Sequence, residues 1–392
     1  MVKQEILHLL LKMSLENFEI MKHKFFELVK ACPKTRARSG ILHLNHGKVR
    51  TPIFMPVGTF GTVRHVSHED LESLETEIIL ANTYHLYLRP GPGLMKEMGG
   101  YHNFVHWNRP VLTDSGGFQI FSLPEQREIF KTSVQFKSYI DNSYKMLTPE
   151  SVVEFQHVIG SDVMMVLDVC VPSTCSRSEA AWAMERTHDW ALRSQSAHDE
   201  TTGQKLFAIC QGAIFEDLRK ESAEFLSAQD FAGYAIGGLA VGESKDERVH
   251  FTAFAANLLP DHKPKYLMGV GTPHDLVRSV RAGVDMFDCI IPTNHAKQGV
   301  AYTWSGKVKL RRSVYANEKM PIDENCGCFV CRRYSCAYLY QLMKSSEPSA
   351  WRLLSIHNLW FYKMLMERMR NEIECGNFEA FSSAFLNDVP EV

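Results

Sequence analysis

Several groups of polar residues and glycines stand at the ends of short apolar runs. They are Asp114-Ser115-Gly116-Gly117-Phe118-Gln119, Asp168, Gln211-Gly212, Gly237-Gly238, Gly269-Val270-Gly271 and Asp288. Three carboxylates brought together can support glycosyl chemistry. One attacks an anomeric carbon, another moves the leaving group's proton, and a sugar–enzyme ester links two displacements. An amide and glycines beside them let side chain and backbone read a planar heterocycle. Taken singly, Asp114 and Asp168 each fit a helix N-cap as well as a functional group. Asp288 lies between Phe287 and Cys289, where a carboxylate without a role would be costly to bury. The pattern as a whole points to chemistry more strongly than its members, because unrelated caps would not all fall at strand ends.

A second group has metal-ligand spacing. Cys326, Cys328 and Cys331 fall within six residues, a spacing that can wrap a tetrahedral Zn²⁺. A fourth ligand is required, and His357 in the helical stretch RLLSIHNLWFYKML or the nearby Cys336 could supply it. Four protein ligands would close the ion's coordination and make it structural. The other seven cysteines are scattered, which suits a reduced chain with one metal cluster rather than a disulfide framework. Between Thr293 and Tyr334, eight Lys and Arg face three acidic residues, although the whole chain carries 43 basic against 45 acidic groups. A charge run of this kind is often only a solvated face. Beside the cysteine loop it also fits a local grip on phosphates.

The elements that must position these groups follow from eight β-prone runs: 53–57, 77–83, 111–115, 162–168, 206–212, 234–238, 266–271 and 286–291. Most are separated by enough chain for a helix. Near-continuous apolar strands alternating with helices imply parallel strands covered on both faces, and eight such units fit a (β/α)₈ TIM barrel. Strand ends then converge on one mouth. The interval before 162 holds two alternating runs around Asp141-Asn142-Ser143, which predict an inserted β-hairpin near 123–150. The organisation expected is a helical N-terminal extension over 1–35, a catalytic barrel over 36–300, and a zinc-binding subdomain with C-terminal helices over 301–392. No apolar run approaches the roughly 18 residues that span a bilayer, so no membrane partner is expected. The N-terminal apolar block is broken by His8 and Lys12, with acidic residues and no small-residue cleavage site following. It reads as an amphipathic extension of a cytoplasmic protein, with Met21 as an alternative start.

The motifs ANTYHLYLRPG (81–91), TDSGGFQ (113–119), QG (211–212), GGLAVGE (237–243), MGVG (268–271), DMFDC with IPT (285–293) and the Cys-x-Cys-x₂-Cys set with its distant His resemble those of the tRNA-guanine transglycosylases. The resemblance runs from about Arg36 to the tail. It implies an elaborated (β/α)₈ barrel with one structural zinc held by Cys326, Cys328, Cys331 and His357. It also implies a homodimer that exchanges the wobble guanine of GUN-anticodon tRNAs for a 7-deazaguanine base. Asp288 resembles the nucleophile at ribose C1′, and Asp114 the general acid/base. Ser115, Gly116, Gly117, Phe118, Asp168, Gln211, Gly238 and Met268 resemble the base-binding set. Gly269, Val270, Gly271, Thr272, Pro273, His274 and Asp275, with Thr293, Asn294, His295, Ala296 and Lys297, resemble the tRNA-contacting loops.

The chain departs from the family at Asn294 and Lys297, where arginines are usual, and at Val169, where bacterial members usually carry Glu. These changes bear on substrate choice rather than on the reaction. Val241 resembles the bacterial pattern and favours the aminomethyl precursor, 7-aminomethyl-7-deazaguanine, over queuine. Two further readings compete. A non-catalytic tRNA-binding subunit should lack the catalytic carboxylates, and both are present. A barrel glycoside hydrolase does not account for the cysteine loop and its basic flank.

Overall fold

The structure, a computed structural model, describes residues 25–123 and 127–391. Eight parallel strands close a barrel. In chain order they are β4 (Ile53–Gly58), β5 (Ile79–Ala81), β6 (Val111–Thr113), β10 (Val163–Met165), β11 (Lys205–Cys210), β12 (Gly233–Ile236), β13 (Lys265–Leu267) and β14 (Met286–Cys289). Each coincides with one of the eight apolar runs. Closure comes where β14 pairs with β4, with Asp288 opposite Met55. The strands are almost wholly buried, as expected when helices cover a parallel sheet.

The covering helices begin where the sequence places caps. Ser176 and Ser244 accept from the backbone of Glu179 and Glu247, whose side chains return the bond, opening helices Arg177–Ala197 and Lys245–Leu258. Thr148 and Pro149 start helix Pro149–Ile159, and Gly160 ends it.

The N-terminal region differs from expectation. Residues 1–24 lie outside the described residues. From Phe26 onward the chain is strand, not helix: β1 (Phe26–Ala31), β2 (Arg38–Leu44) and β3 (Gly47–Thr51) form one antiparallel sheet. That sheet crosses the expected boundary at 35/36, and the barrel begins only at Ile53. It lies against the N-terminal ends of the barrel strands, where the Phe25 ring meets Phe207 edge-on at 6.0 Å. Arg38 forks onto Asp285 at 2.9 and 2.6 Å with both side chains buried, and Asp285 also accepts the Lys265 N–H at 2.7 Å. Removing one partner of such a pair strands a charge. Asp285→Asn should therefore cost about 3–5 kcal/mol of stability, read as a lower midpoint in denaturant unfolding. An unchanged midpoint would contradict this.

The insertion is a three-stranded sheet rather than a hairpin alone. A short β7 (Arg127–Ile129) joins β8 (Val134–Lys137) and β9 (Tyr144–Leu147). Val134, Phe136 and Leu147 pack with Tyr84, Leu167 and Trp190 in a separate small core. The insertion thereby supports the end of β10, where Asp168 stands. Beyond the barrel, hairpin β15 (Val300–Thr303) and β16 (Gly306–Lys309) leads to the cysteine loop and to helix Pro348–Glu374. No helix among the described residues is long and apolar enough to cross a membrane.

Candidate active site

A cavity of about 400 Å³ opens at the C-terminal ends of the barrel strands. Asp114, Asp168, Gln211, Gly238, Met268 and Asp288, together with Ser115, Gly116 and Phe118, line it. All of the expected catalytic groups and all but one of the expected base-binding groups thus meet at one place. The exception, Gly117, stands directly behind Asp168. A Cβ there would come within 2.4 Å of Asp168 Oδ1, so only glycine lets this loop close on the carboxylate.

Asp288 is the penultimate residue of β14, buried. Its Oδ1 accepts the Tyr266 hydroxyl at 2.6 Å and the Gly269 N–H at 2.8 Å. Among the described residues no donor reaches Oδ2, so one oxygen is fixed and the other is available. Burial raises its pKa, against the two hydrogen bonds. Tyr266 is itself pushed well above the ordinary phenol range by burial and by Asp288, so it stays a donor.

Asp114 follows β6. Its Oδ2 accepts Asn82 Nδ2 at 2.5 Å and Gln119 Nε2 at 2.8 Å, and its Oδ1 accepts the Thr83 N–H at 2.8 Å. Thr83 is the first residue of helix Thr83–Leu88, so a capping function is present, though across strands. Burial pushes its pKa up to about 6, with Asp288 adding to the rise and the three donors opposing it. A carboxyl in that range can give and take a proton near neutral pH.

Asp168 takes Ser115 Oγ on Oδ1 at 2.9 Å and Gln211 Nε2 on Oδ2 at 2.8 Å. It caps no helix. Behind Gln211, the buried Arg219 donates to the carbonyls of Gly237 and Gly238 at 3.1 and 3.3 Å. A Cβ on Gly238, at φ +65°, would come within 2.3 Å of Gln211 Oε1.

The expected tRNA loops divide. Gly269 and Lys297 are exposed, and Thr272, Asn294 and His295 half-buried. Val270, Gly271, Pro273, His274, Asp275, Thr293 and Ala296 are buried. Asp275 and Thr272 bond each other at the start of helix Pro273–Arg281, and His274 bonds the Val389 carbonyl. Lys297 holds its ammonium over the Trp351 ring at 5.4 Å.

Cys326, Cys328 and Cys331 bring their sulfurs to 3.8, 3.6 and 3.4 Å from His357 Nδ1. The four ligand atoms lie within 4.8 Å of one another. Tetrahedral Zn–S and Zn–N bonds require S···N edges of about 3.6 Å, so the set fits such an ion. His357 Nε2 donates to the Tyr302 carbonyl at 2.8 Å, which leaves Nδ1 free to bind metal. Cys336 is buried outside the group, which settles the fourth ligand as His357. The next residue, Asn358, bonds the Tyr302 N–H and the Pro292 and Val300 carbonyls, and Tyr362 bonds the Gly271 carbonyl. The helix that carries His357 thereby holds the loops that follow β13 and β14, on either side of Asp288.

Sequence reasoning gave no role to Asn82, Gln119 or Tyr266, which hold the carboxylates of Asp114 and Asp288. Asn82 and Gln119 sit inside quoted motifs. Tyr266 lies within a strand, where nothing in the pattern marks it.

A family model described as Queuine tRNA-ribosyltransferase matches residues 32–391. The chain belongs to this family. A queuine tRNA-ribosyltransferase of Dehalococcoides mccartyi is 48% identical over 364 residues, covering 93% of each chain. A Thermoanaerobacter relative of the same name is 47% identical over 361 residues, covering 92% of this chain and 96% of its own. One from Oleidesulfovibrio alaskensis is 48% identical over 351 residues, covering 89% and 93%. The enzyme is therefore a tRNA-guanine transglycosylase, built on the (β/α)₈ barrel expected from the strand pattern.

Proposed function

We propose that this enzyme replaces the wobble guanine of GUN-anticodon tRNAs with 7-aminomethyl-7-deazaguanine through a covalent tRNA–Asp288 ester. The carrying observation is a pair of buried carboxylates in one cavity with different surroundings: Asp288 with a free oxygen, and Asp114 held by three donors on its two oxygens. Asp288 attacks C1′ as the glycosidic bond breaks, and Asp114 gives its proton to the departing guanine. Asp114 then takes a proton from the incoming base, which attacks C1′ and releases Asp288.

Asp168 reads the base's ring N–H and amine, while Gln211 and the Gly238 N–H read its carbonyl. Phe118 and Met268 enclose its two faces. Val241 lines the cavity, and its N–H and that of Ala240 are held by Glu243 at 2.9 and 2.7 Å. This fixed wall supports the smaller aminomethyl base. The reading includes a homodimer and a cytoplasmic setting, both resting on the family resemblance, and a structural zinc at Cys326, Cys328, Cys331 and His357. Chelating that ion, or Cys328→Ala, should release helix Pro348–Glu374 and lower melting temperature and exchange together. Metal-free protein with normal melting and turnover would contradict it.

The test preloads GUN-anticodon tRNA with labelled guanine and adds guanine, 7-aminomethyl-7-deazaguanine or queuine. The aminomethyl base should drive release with the highest kcat/KM. A higher value for queuine would overturn the choice of base alone, and no release with any base would overturn the exchange.

A further inference from the structure

The cavity mouth carries large apolar side chains that the proposed exchange does not use. Phe60 follows β4 directly after the cavity-lining Thr59 and is 56% exposed. Tyr139, at the tip of the inserted sheet, is 49% exposed. His85 lines the cavity and joins them. Its ring meets Phe60 edge-on at 4.7 Å and Tyr139 edge-on at 6.0 Å, and its Nδ1 lies 3.2 Å from the Tyr139 hydroxyl. Three segments far apart in the chain thus build one aromatic rim beside the entrance.

We propose that this rim stacks a nucleobase flanking the wobble position, replacing the stacking that this base loses when the guanine enters the cavity. The inference rests on the exchange reading. A base reached by an enzyme must leave its stack, and its neighbours then lose a stacked face. The covalent chain carries those neighbours past the rim whenever the wobble base is inside. Every base has a π-face, and aromatic side chains stack on it without reading sequence. Burial lowers the His85 pKa, so the ring joining the two exposed aromatics remains neutral and the rim itself adds no charge. The inserted sheet thereby gains a role beyond supporting Asp168: it delivers Tyr139 to the substrate.

The test uses an anticodon stem-loop with 2-aminopurine at either flank of the wobble guanine. Wild-type enzyme should quench the probe at one flank. Phe60→Ala should abolish that quenching and raise KM for the stem-loop roughly 5- to 160-fold, the range alanine substitution gives for one stacked base, with kcat unchanged. Phe60→Trp should restore both. Tyr139→Ala should follow Phe60→Ala, whereas Tyr139→Phe, which keeps the ring, should stay near wild type. Phe60 is exposed, so its variants do not threaten the fold. The proposal is overturned if Phe60→Ala keeps wild-type KM and quenching. It is equally overturned if Phe60→Ala changes only the oligomeric state, which would assign the rim to a second copy of the chain. Failure of the exchange reading looks different: wild-type enzyme would release no guanine at all.

Discussion

Asp288→Asn should abolish guanine exchange, with a loss of at least about 10⁴-fold, the scale seen when a nucleophile is removed from a working site. The amide keeps the size of the carboxylate and can still accept from Tyr266 and Gly269, which now hold Oδ1 at 2.6 and 2.8 Å. The strand should therefore keep its shape, and stem-loop binding should survive. What disappears is the anionic oxygen that attacks C1′, and with it the ester. A variant that binds RNA normally yet turns over would remove Asp288 from the mechanism.

Asp114 gives the second large effect, and its signature is a reversal with pH. Burial and the nearby Asp288 raise its pKa to about 6, so its protonated fraction falls as pH rises through that value. Ester formation needs the proton, since guanine leaves with it. In single turnover without added base, the adduct should form more slowly as pH increases through about 6. Asp288, whose pKa burial also raises, must be ionised to attack. Discharge of the ester by an incoming base needs Asp114 as carboxylate, so that half-reaction should speed up through the same interval. Asp114→Asn should slow both halves by about 10²–10⁴-fold, the usual worth of general acid–base catalysis, and flatten both profiles. Two half-reactions with the same pH slope would contradict the assignment.

The barrel was legible because each strand is a continuous apolar run ending in a residue that a core would reject, as at Asp114, Asp168 and Asp288. The metal set was legible by spacing, but the choice between His357 and Cys336 needed the helix to fold back over the loop, which spacing alone does not encode. Other features gave weak local signals. β7 is three residues long, too short for an alternating pattern. Only Phe26 of β1 is buried, so its sequence carries no face to read. Tyr266 looks like any buried aromatic until its hydroxyl is seen on Asp288. The rim of Phe60, His85 and Tyr139 exists only once three distant segments meet. The expected tRNA loops show the opposite case. A contiguous motif names every residue in a turn, whereas the fold exposes Gly269 and Lys297 and buries neighbours such as His274, Asp275 and Ala296.

The central claim is a tRNA ester at Asp288, and intact-mass spectrometry under denaturing conditions tests it most directly. The enzyme is mixed with a GUN anticodon stem-loop without free base, quenched and weighed. The account predicts a species equal to protein plus stem-loop less guanine. Digestion should map it to the peptide holding Asp288, addition of the incoming base should discharge it, and it should be missing from Asp288→Asn. Exchange of labelled guanine that proceeds with no such species, and that persists in Asp288→Asn, would contradict it.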